Sequence, residues 1–568
     1  MRQSVILWAC LAWLSVPQLR ADEPPKSLDP RLKIELFAEH PQIVTPTGLD
    51  VDHRGRVFAI ENNTHFPPEG YKGHPTDRVL VMSDSDGDGK ADKVVVFTDG
   101  LKYSMSVIVR PIWFRVDGRG SKVDGKAESK VDGRGSKVDS KANNPQPSTI
   151  NPRPSPSTIE HQPSTSIYIA TRREIFLFHD DDGDDKADRK ESIVRLDTKG
   201  DYPHNGLAGF AIDALGWMYF GFGENLGADY KIIGSDGVTL SGGGEGGNIY
   251  RCRLDGSKLS QIATGFWNPH ASCFDAFGRL FTVDNDADSR PPCRLLHVIP
   301  GGDYGYRFRN GRKGLHPFTA WNGEIPGTLP MVAGTGEAPS GILAYESDGL
   351  PEEYLGNLLV TSWGDHRIDR FRLQPKGTSF TSLAEPLITG GENFRPVGLA
   401  TAPDGSLYCT DWELRDYKLH GHGRIWRISL KEPSAPRQDD PDLASKPMAD
   451  VLRVLLKDRR LWVRRHAAKT LAPKLDSQSR LQLINETGKW TREFLEILWS
   501  EFSFDHLDPN HQARKDSSYK YSERDPASTW VLLQPNWGQF GNLPYRDASE
   551  LERQIARVKD LTRLFDGV

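Results

Sequence analysis

The sequence predicts a mainly β protein, a six-bladed β-propeller followed by a small α-helical, HEAT-like region. Three observations lead there. An apolar strand, a turn with Asp and Gly, and a second apolar strand recur in six copies over roughly 400 residues. Strands with alternating apolar residues joined by D-x-x-G or D-G turns read as antiparallel hairpins. The 568 residues include 54 Gly, 39 Pro and 14 Trp, a balance that favours many short strands over long helices. An open sheet of that length would leave costly edges, so the repeats are expected to close into a ring.

The chain opens with MRQSVILWACLAWLSVPQLRA. Arg2 supplies a positive start, Val5 to Val16 an apolar stretch too short to span a membrane, and Ala21 a small residue at a cleavage position. Residues 1–21 therefore read as a secretory signal peptide, and the protein is expected to be exported, periplasmic or extracellular. The mature chain has no apolar run long enough for a transmembrane span. A formal net charge of −5 argues against a nucleic-acid partner, which would call for a basic face. Cys252, Cys273, Cys293 and Cys409 remain after cleavage, and export leaves both free and paired states open.

The propeller spans 32–430. Its copies are GLDVDHRGRVFAIENN from Gly48, SVIVRP with SIYIATRREIFLF, GLAGFAIDALGWMYFGFGEN from Gly206, ASCFDAFGRLFTVDND from Ala271, the looser GILAYESDGLPEEYLGNLLVTSWGDH from Gly341, and GLATAPDGSLYCTDW from Gly398. The second copy is split at 116–165, where VDGRGSK occurs twice and NPQPSTI and NPRPSPSTI follow. Such a composition lacks the apolar surface to offset chain entropy and is expected to be a disordered insertion in a blade loop.

Two near-copies, DSDGDGKAD from Asp84 and DDDGDDKAD from Asp180, flank that insertion. Asp at positions 1, 3, 5 and 9 turns carboxylates toward a hard cation, and Gly permits the bend. Asp84, Asp86, Asp88 and Asp92, and Asp180, Asp182, Asp184 and Asp188, are the candidate calcium ligands. The carbonyls of Lys90 and Lys186 stand at the backbone-ligand position. No Glu occupies position 12, so the full EF-hand pattern is absent and any calcium is expected to be structural.

Equivalent strands end in Glu61-Asn62-Asn63, Glu224-Asn225, Asp284-Asn285-Asp286, Asp365-His366 and Asp411-Trp412. Equivalent strand ends emerge on one face of a propeller, so these groups are expected to converge near the axis, where carboxylates and amides suit a polar ligand or cation. His204-Asn205 opens one repeat and Trp267-Asn268-Pro269-His270 the next. A histidine over such a channel is a candidate general base.

After a polar linker at 431–447, the region 448–568 reads as helical. Met448 to Leu456 and Arg460 to Leu471 show amphipathic periodicity, with a HEAT-like Val463-Arg464-Arg465. Arg480 to Phe502 and Ser549 to Leu564 are further expected helices.

HNGLAGFAIDALGWMYFGFGEN, ATGFWNPHASCFDAFGRLFTVDND, GGDYGYRF, APSGILAY and FRPVGLATAPDGSLYCTD resemble the soluble quinoprotein glucose/sorbosone dehydrogenase family. That family folds as six-bladed propellers that bind pyrroloquinoline quinone and calcium and oxidise aldoses. DNDADSRPPCRLLHVIPGGDYGYRFRNGRKGLHPF, TSWGDHRIDRF and LHGHGRIWRI are most similar to large exported planctomycete-type membrane-bound dehydrogenases. These join such a propeller to HEAT-like helices and a haem-binding cytochrome module.

The resemblance implies His204 as catalytic base and Asn268, Arg395 and Asn285 as cofactor-binding residues. It also implies a small sugar or alcohol substrate; no C-x-x-C-H haem motif is present, so either the chain is a truncated relative or an external electron carrier or cytochrome accepts the electrons. Trp267 and Val397 replace arginines of the family, and 361–366 lacks its cofactor lysine. Each lost charge-assisted contact is worth ~1.5–3 kcal/mol to a trianionic quinone. Two readings stand at this point. One is a quinone-dependent sugar or alcohol dehydrogenase. The other is a calcium-stabilised, non-catalytic propeller that binds carbohydrate or a protein partner.

Overall fold

The computed structural model describes residues 23–114, 165–285, 287, 290–377, 379–432 and 442–471. The expected signal peptide, nearly all of the expected 116–165 insertion and the helices expected beyond 471 lie outside these residues.

Six antiparallel sheets surround one axis. The first blade comprises Pro46–Val51, Val57–Glu61, Asp77–Ser83 and Lys93–Leu101. The second comprises Ser104–Val109, Thr165–Thr171, Glu174–Asp180 and Arg189–Thr198, extended to six strands by Tyr230–Gly234 and Thr239–Gly242. The third comprises Leu207–Ile212, Trp217–Phe222, Gly247–Arg253 and Ser260–Phe266. The fourth comprises Pro269–Phe274, Leu280–Asp284, Arg294–Val298 and Ala333–Gly334. The fifth comprises Pro339–Ala344, Leu358–Ser362, Arg367–Phe371 and Ala384–Thr389. The sixth takes Pro396–Thr401, Leu407–Asp411 and Arg424–Leu430 from the end of the ring and Leu32–Glu39 from its start. The ring is thus closed by pairing the two ends of the propeller sequence, which removes the open edge.

The recurring turn has a local cause. Asp52, Asp213 and Asp275 each accept hydrogen bonds on Oδ1 from backbone N–H groups two and four residues on, at 2.8–3.0 Å. The glycine that follows in each turn holds a positive φ of 72–82°, which side chains rarely adopt.

A second glycine serves packing between blades. A Cβ on Gly48 would come 2.8 Å from the Met105 carbonyl oxygen, on Gly209 2.9 Å from that of His270, and on Gly398 2.9 Å from that of Thr47. Each contact is with the next inner strand round the ring, so these glycines let the inner strands approach at the axis. Thr361 and Thr410 reinforce the seam. Each Oγ1 accepts from a bulged glycine N–H, Gly341 or Gly398, and donates to the next inner strand, at Val397 or Thr47. Between the sheets the core is apolar, with Tyr168, Met218, Phe220 and Tyr250 filling one interface and Leu359, Ile368, Leu407 and Ile428 another.

Two helices, Met448–Lys457 and Leu461–Leu471, pack on each other, and the second lies against the face that carries the Asp turns. The Leu461 N–H bonds the Glu346 carbonyl of the fifth blade at 3.0 Å. Lys469 Nζ lies 5.7 Å from the centroid of the Phe114 ring of the second blade. The second helix therefore spans the lower mouth of the ring. No described helix is long and apolar enough to cross a membrane. Cys252, Cys273, Cys293 and Cys409 are free.

Candidate functional site on the upper face

Inner strands begin, and second strands end, on the same rim, as the pairings Pro46–Glu61, Pro269–Asp284 and Pro396–Asp411 show. The predicted polar strand ends therefore do share one face, but several are engaged in holding the backbone. Asp284 accepts from the Asn268 N–H at 2.6 Å and the Trp267 N–H at 3.1 Å, and pairs with Arg294 at 2.5 Å. Asp411 repeats the arrangement with the Arg395 N–H at 2.7 Å, Arg424 Nε at 3.0 Å and Trp426 Nε1 at 2.8 Å. Both carboxylates are fully buried, and burial raises their pKa against the pull of the neighbouring arginine. They clamp the connection entering each blade rather than face a ligand.

Glu224 is different. It accepts from the Asn205 amide, while its Oε2 is shielded and without a partner. Burial pushes its pKa up to about 7.

At the centre of the face lies His204, on the short 3-10 turn Pro203–Asn205. Its ring centroid is 4.3 Å from that of His65, 5.2 Å from Tyr417 and 5.3 Å from Tyr202. Trp412 stands edge-on to His65 at 6.1 Å, and Tyr417 stacks on Trp363 at 5.0 Å. These groups come from the first blade, the turn before the third, and the fifth and sixth blades, so their meeting point is the axis. His65 is 2% exposed, whereas Phe66 and Tyr417 are 38% and 47% exposed. The site is one buried imidazole, His65, against the half-buried His204 beneath an open aromatic rim.

Neither ring nitrogen of His65 has a hydrogen-bond partner, nor does Nε2 of His204. Burial lowers the pKa of His65 to about 4 and that of His204 well below its ordinary value, with His270 adding repulsion in both cases. Both imidazoles are neutral at pH 7, so each keeps one donor and one acceptor.

The other predicted residues surround this centre. Asn268 Nδ2 donates to the His204 carbonyl at 3.0 Å and so fixes the His204 turn. Asn285 is half-buried, with Oδ1 unpartnered. Arg395 is buried, and its guanidinium binds the Trp363 and Gly364 carbonyls at 3.0 and 3.3 Å and Glu392 at 2.7 Å.

His65, Tyr202, Trp363 and Tyr417 were not singled out from the sequence. His65 lies outside the repeat phrase, and its only signal is its place just after the Glu61-Asn62-Asn63 strand end.

A family model described as a domain of unknown function (DUF7133) matches residues 27–112 and 158–432. The chain belongs to this family. The two matched stretches of the DUF7133 domain together contain every blade, and the gap between them, 113–157, falls on most of the predicted insertion. No relative among curated proteins matches the chain.

Among solved structures, the DUF7133 chain is similar to the PQQ-bound form of aldose sugar dehydrogenase from Streptomyces coelicolor. That match has 15% identity, 72% of this chain and 100% of that one covered, and a TM-score of 0.42. The apo soluble aldose sugar dehydrogenase of Escherichia coli matches at 13% identity, 70% and 100% coverage and a TM-score of 0.42. The PQQ domain of pyranose dehydrogenase from Coprinopsis cinerea matches at 12% identity, 72% and 97% coverage and a TM-score of 0.41.

The Asp-rich loops lie on the opposite face, at the turns between third and fourth strands of the first two blades. Their internal bonding is nearly the same. Asp84 accepts from the Gly87 and Gly89 N–H groups at 2.7 and 2.8 Å, and Asp180 from those of Gly183 and Asp185 at 2.6 and 3.3 Å. Carboxylates of Asp84, Asp86 and Asp88, and of Asp180, Asp182 and Asp188, approach one another closely enough to share an ion. Asp92 instead accepts from the Ser85 N–H and hydroxyl, and Asp184 pairs with Lys186.

Proposed function

We propose that the upper face of the propeller binds a small sugar or alcohol between the exposed aromatic rings and the imidazoles of His65, buried, and His204, half-buried. The observation that carries this reading is the unsatisfied hydrogen-bonding capacity of two adjacent neutral imidazoles beneath Phe66, Tyr202 and Tyr417. A sugar presents an apolar C–H face that packs on aromatic rings and a hydroxyl edge that both donates and accepts. Its hydroxyls match the donor–acceptor pairs that these imidazoles leave open.

The dehydrogenase reading adds a reaction at the same place. A bound hydroxyl beside His204 Nε2 can lose its proton to the neutral ring, and a hydride acceptor completes the oxidation. The sequence motifs shared with the glucose/sorbosone dehydrogenases support this second reading. Pyrroloquinoline quinone, the acceptor that resemblance implies, carries three carboxylates. The residues present do not fit it. Arg395 commits both terminal nitrogens to two carbonyls and Glu392, and only its Nε is left without a partner. Trp267 and Val397, where the family has arginines, are buried in apolar clusters. Arg172 packs beneath Gly206, with its guanidinium turned to Asn225 and Asp201. No step is therefore derived through that quinone.

The reading is of an exported protein, supported by the leader pattern of residues 1–21. It includes structural calcium in the two Asp-rich loops, supported by their near-identical bonding. Both loops are remote from His204, so the ion stabilises blades rather than takes part in binding.

Titrating the purified chain with aldoses and polyols, followed by tryptophan fluorescence and calorimetry, tests the proposal. Saturable binding that is lost in Tyr417→Ala and weakened in His204→Ala is expected. No binding to any of them, or binding indifferent to both variants, overturns it. Turnover with pyrroloquinoline quinone, calcium and a dye acceptor would establish the dehydrogenase reading at the same site and overturn the misfit of that quinone.

A further inference from the structure

Away from the axis, three metal-ligating side chains from distant parts of the sequence meet at the rim of the sixth blade. His40 directly follows the closing strand Leu32–Glu39, Glu413 follows the second strand Leu407–Asp411, and His422 lies just before the third strand Arg424–Leu430. His40 Nδ1 is 3.9 Å from Glu413 Oε2, and His422 Nδ1 is 3.5 Å from Glu413 Oε1. One donor atom from each of the three lies within 4.8 Å of the others.

We propose that His40, Glu413 and His422 bind one divalent transition-metal ion, zinc by the chemistry of the donors, with a fourth position left to water. Two imidazoles and one carboxylate form a donor set that zinc favours, and one that hard calcium does not. Donors about 2.1 Å from a tetrahedral ion stand roughly 3.4 Å apart. The 3.5 and 3.9 Å separations run to different oxygens of Glu413 and the three donors lie within 4.8 Å of one another, so the side chains reach that geometry by closing on the ion.

Independent observations point to a missing ligand. Glu413 Oε2 and His422 Nδ1 are both shielded from solvent and make no hydrogen bond. Glu413 also holds a φ of +79°, a conformation uncommon for a residue with a side chain.

The surrounding backbone sets the donors in place. The His40 N–H bonds the Gly423 carbonyl at 3.0 Å, the Thr45 N–H bonds the His422 carbonyl at 2.6 Å, and the Glu413 N–H bonds Asp411 Oδ1 at 3.0 Å. His420 Nδ1 accepts from the His422 N–H at 3.1 Å, which fixes the ring beside the site.

The position gives the metal a structural role. Glu413 and His422 bracket the loop whose middle residue, Tyr417, lies over His204. The ion fastens both ends of that loop to His40, across the seam where the two ends of the propeller sequence pair. The site itself is independent of the sugar-binding reading.

The test uses the full purified chain, stripped with chelator and titrated with zinc chloride alone. One equivalent is expected to bind, raising the melting temperature. Affinity is expected to fall at least ten-fold in His40→Ala and in Glu413→Gln and to be unchanged in Asp86→Asn. Cobalt(II) in place of zinc is expected to give the visible absorption of a four-coordinate site with nitrogen donors, a readout that does not depend on variants folding. Absence of stoichiometric zinc, zinc affinity unchanged in both ligand variants, or only six-coordinate cobalt spectra would leave a histidine–carboxylate ion pair and overturn the proposal.

Discussion

The imidazoles of His65 and His204 meet edge to face, with their ring centroids 4.3 Å apart. This places two titratable rings from different blades in one desolvated space, where neither is easily protonated.

The burial of His65 makes the fold acid-sensitive. The pKa of His65 falls from 6.5 to about 4 on folding, so between those values the unfolded chain binds more protons and stability rises with pH. The contribution is fully present above pH 6.5 and is lost as pH falls through about 4, a span worth about 3 kcal/mol. Denaturation midpoints measured from pH 7.5 to 4 should fall steeply in the native chain and less steeply in His65→Gln. Parallel pH profiles would remove His65 from the account.

The buried pair of Asp284 and Arg294 should be costly to break from one side. Asp284→Asn leaves a guanidinium of zero exposure without its counter-charge, and such changes cost about 3–5 kcal/mol. It also weakens the anchor of the Trp267 and Asn268 N–H groups. Guanidinium denaturation is expected to show that loss, with Asp411→Asn behaving alike in the sixth blade.

Gly48→Ala tests the packing at the axis. The added methyl would lie 2.8 Å from the Met105 carbonyl oxygen and 3.0 Å from Ser106 Cα, both backbone atoms that cannot swing away. A loss of about 1–3 kcal/mol is expected, as for overpacked cores. Gly55→Ala meets no atom within 4 Å and carries only the strain of a φ of +82°, so it should cost about 1 kcal/mol. Equal losses in the two variants would mean that blade contact is not what requires glycine at 48.

For the Asp-rich loops, terbium luminescence is expected to report two sites displaced by calcium. Asp86→Asn should remove the first and Asp182→Asn the second, each lowering the thermal midpoint in calcium but not in chelator. Luminescence unaltered by either substitution would place any bound ion elsewhere.

The blade count was legible because its causes are local. Asp52, Asp213 and Asp275 each tie their own turn, and Gly48, Gly209 and Gly398 mark inner strands at a fixed place in each repeat. The two helices after 447 were legible from amphipathic period, within a residue or two of Met448–Lys457 and Leu461–Leu471.

The same repetition misled about the site. Asp284 and Asp411 looked like ligand groups because they recur, yet they recur because each blade needs its entering strand clamped. His65 occurs once, outside the phrase, and periodicity gives it no weight.

The sequence by itself thus determined the ring, its six blades and its turns, since neighbouring residues encode them through hydrogen bonds and permitted φ. Only the tertiary structure decided which side chains share a space. His65 meets His204 at the axis, and His40 meets Glu413 and His422 at the seam. Both meetings follow from ring closure, which brings residues distant in sequence to one place and strips them of water together.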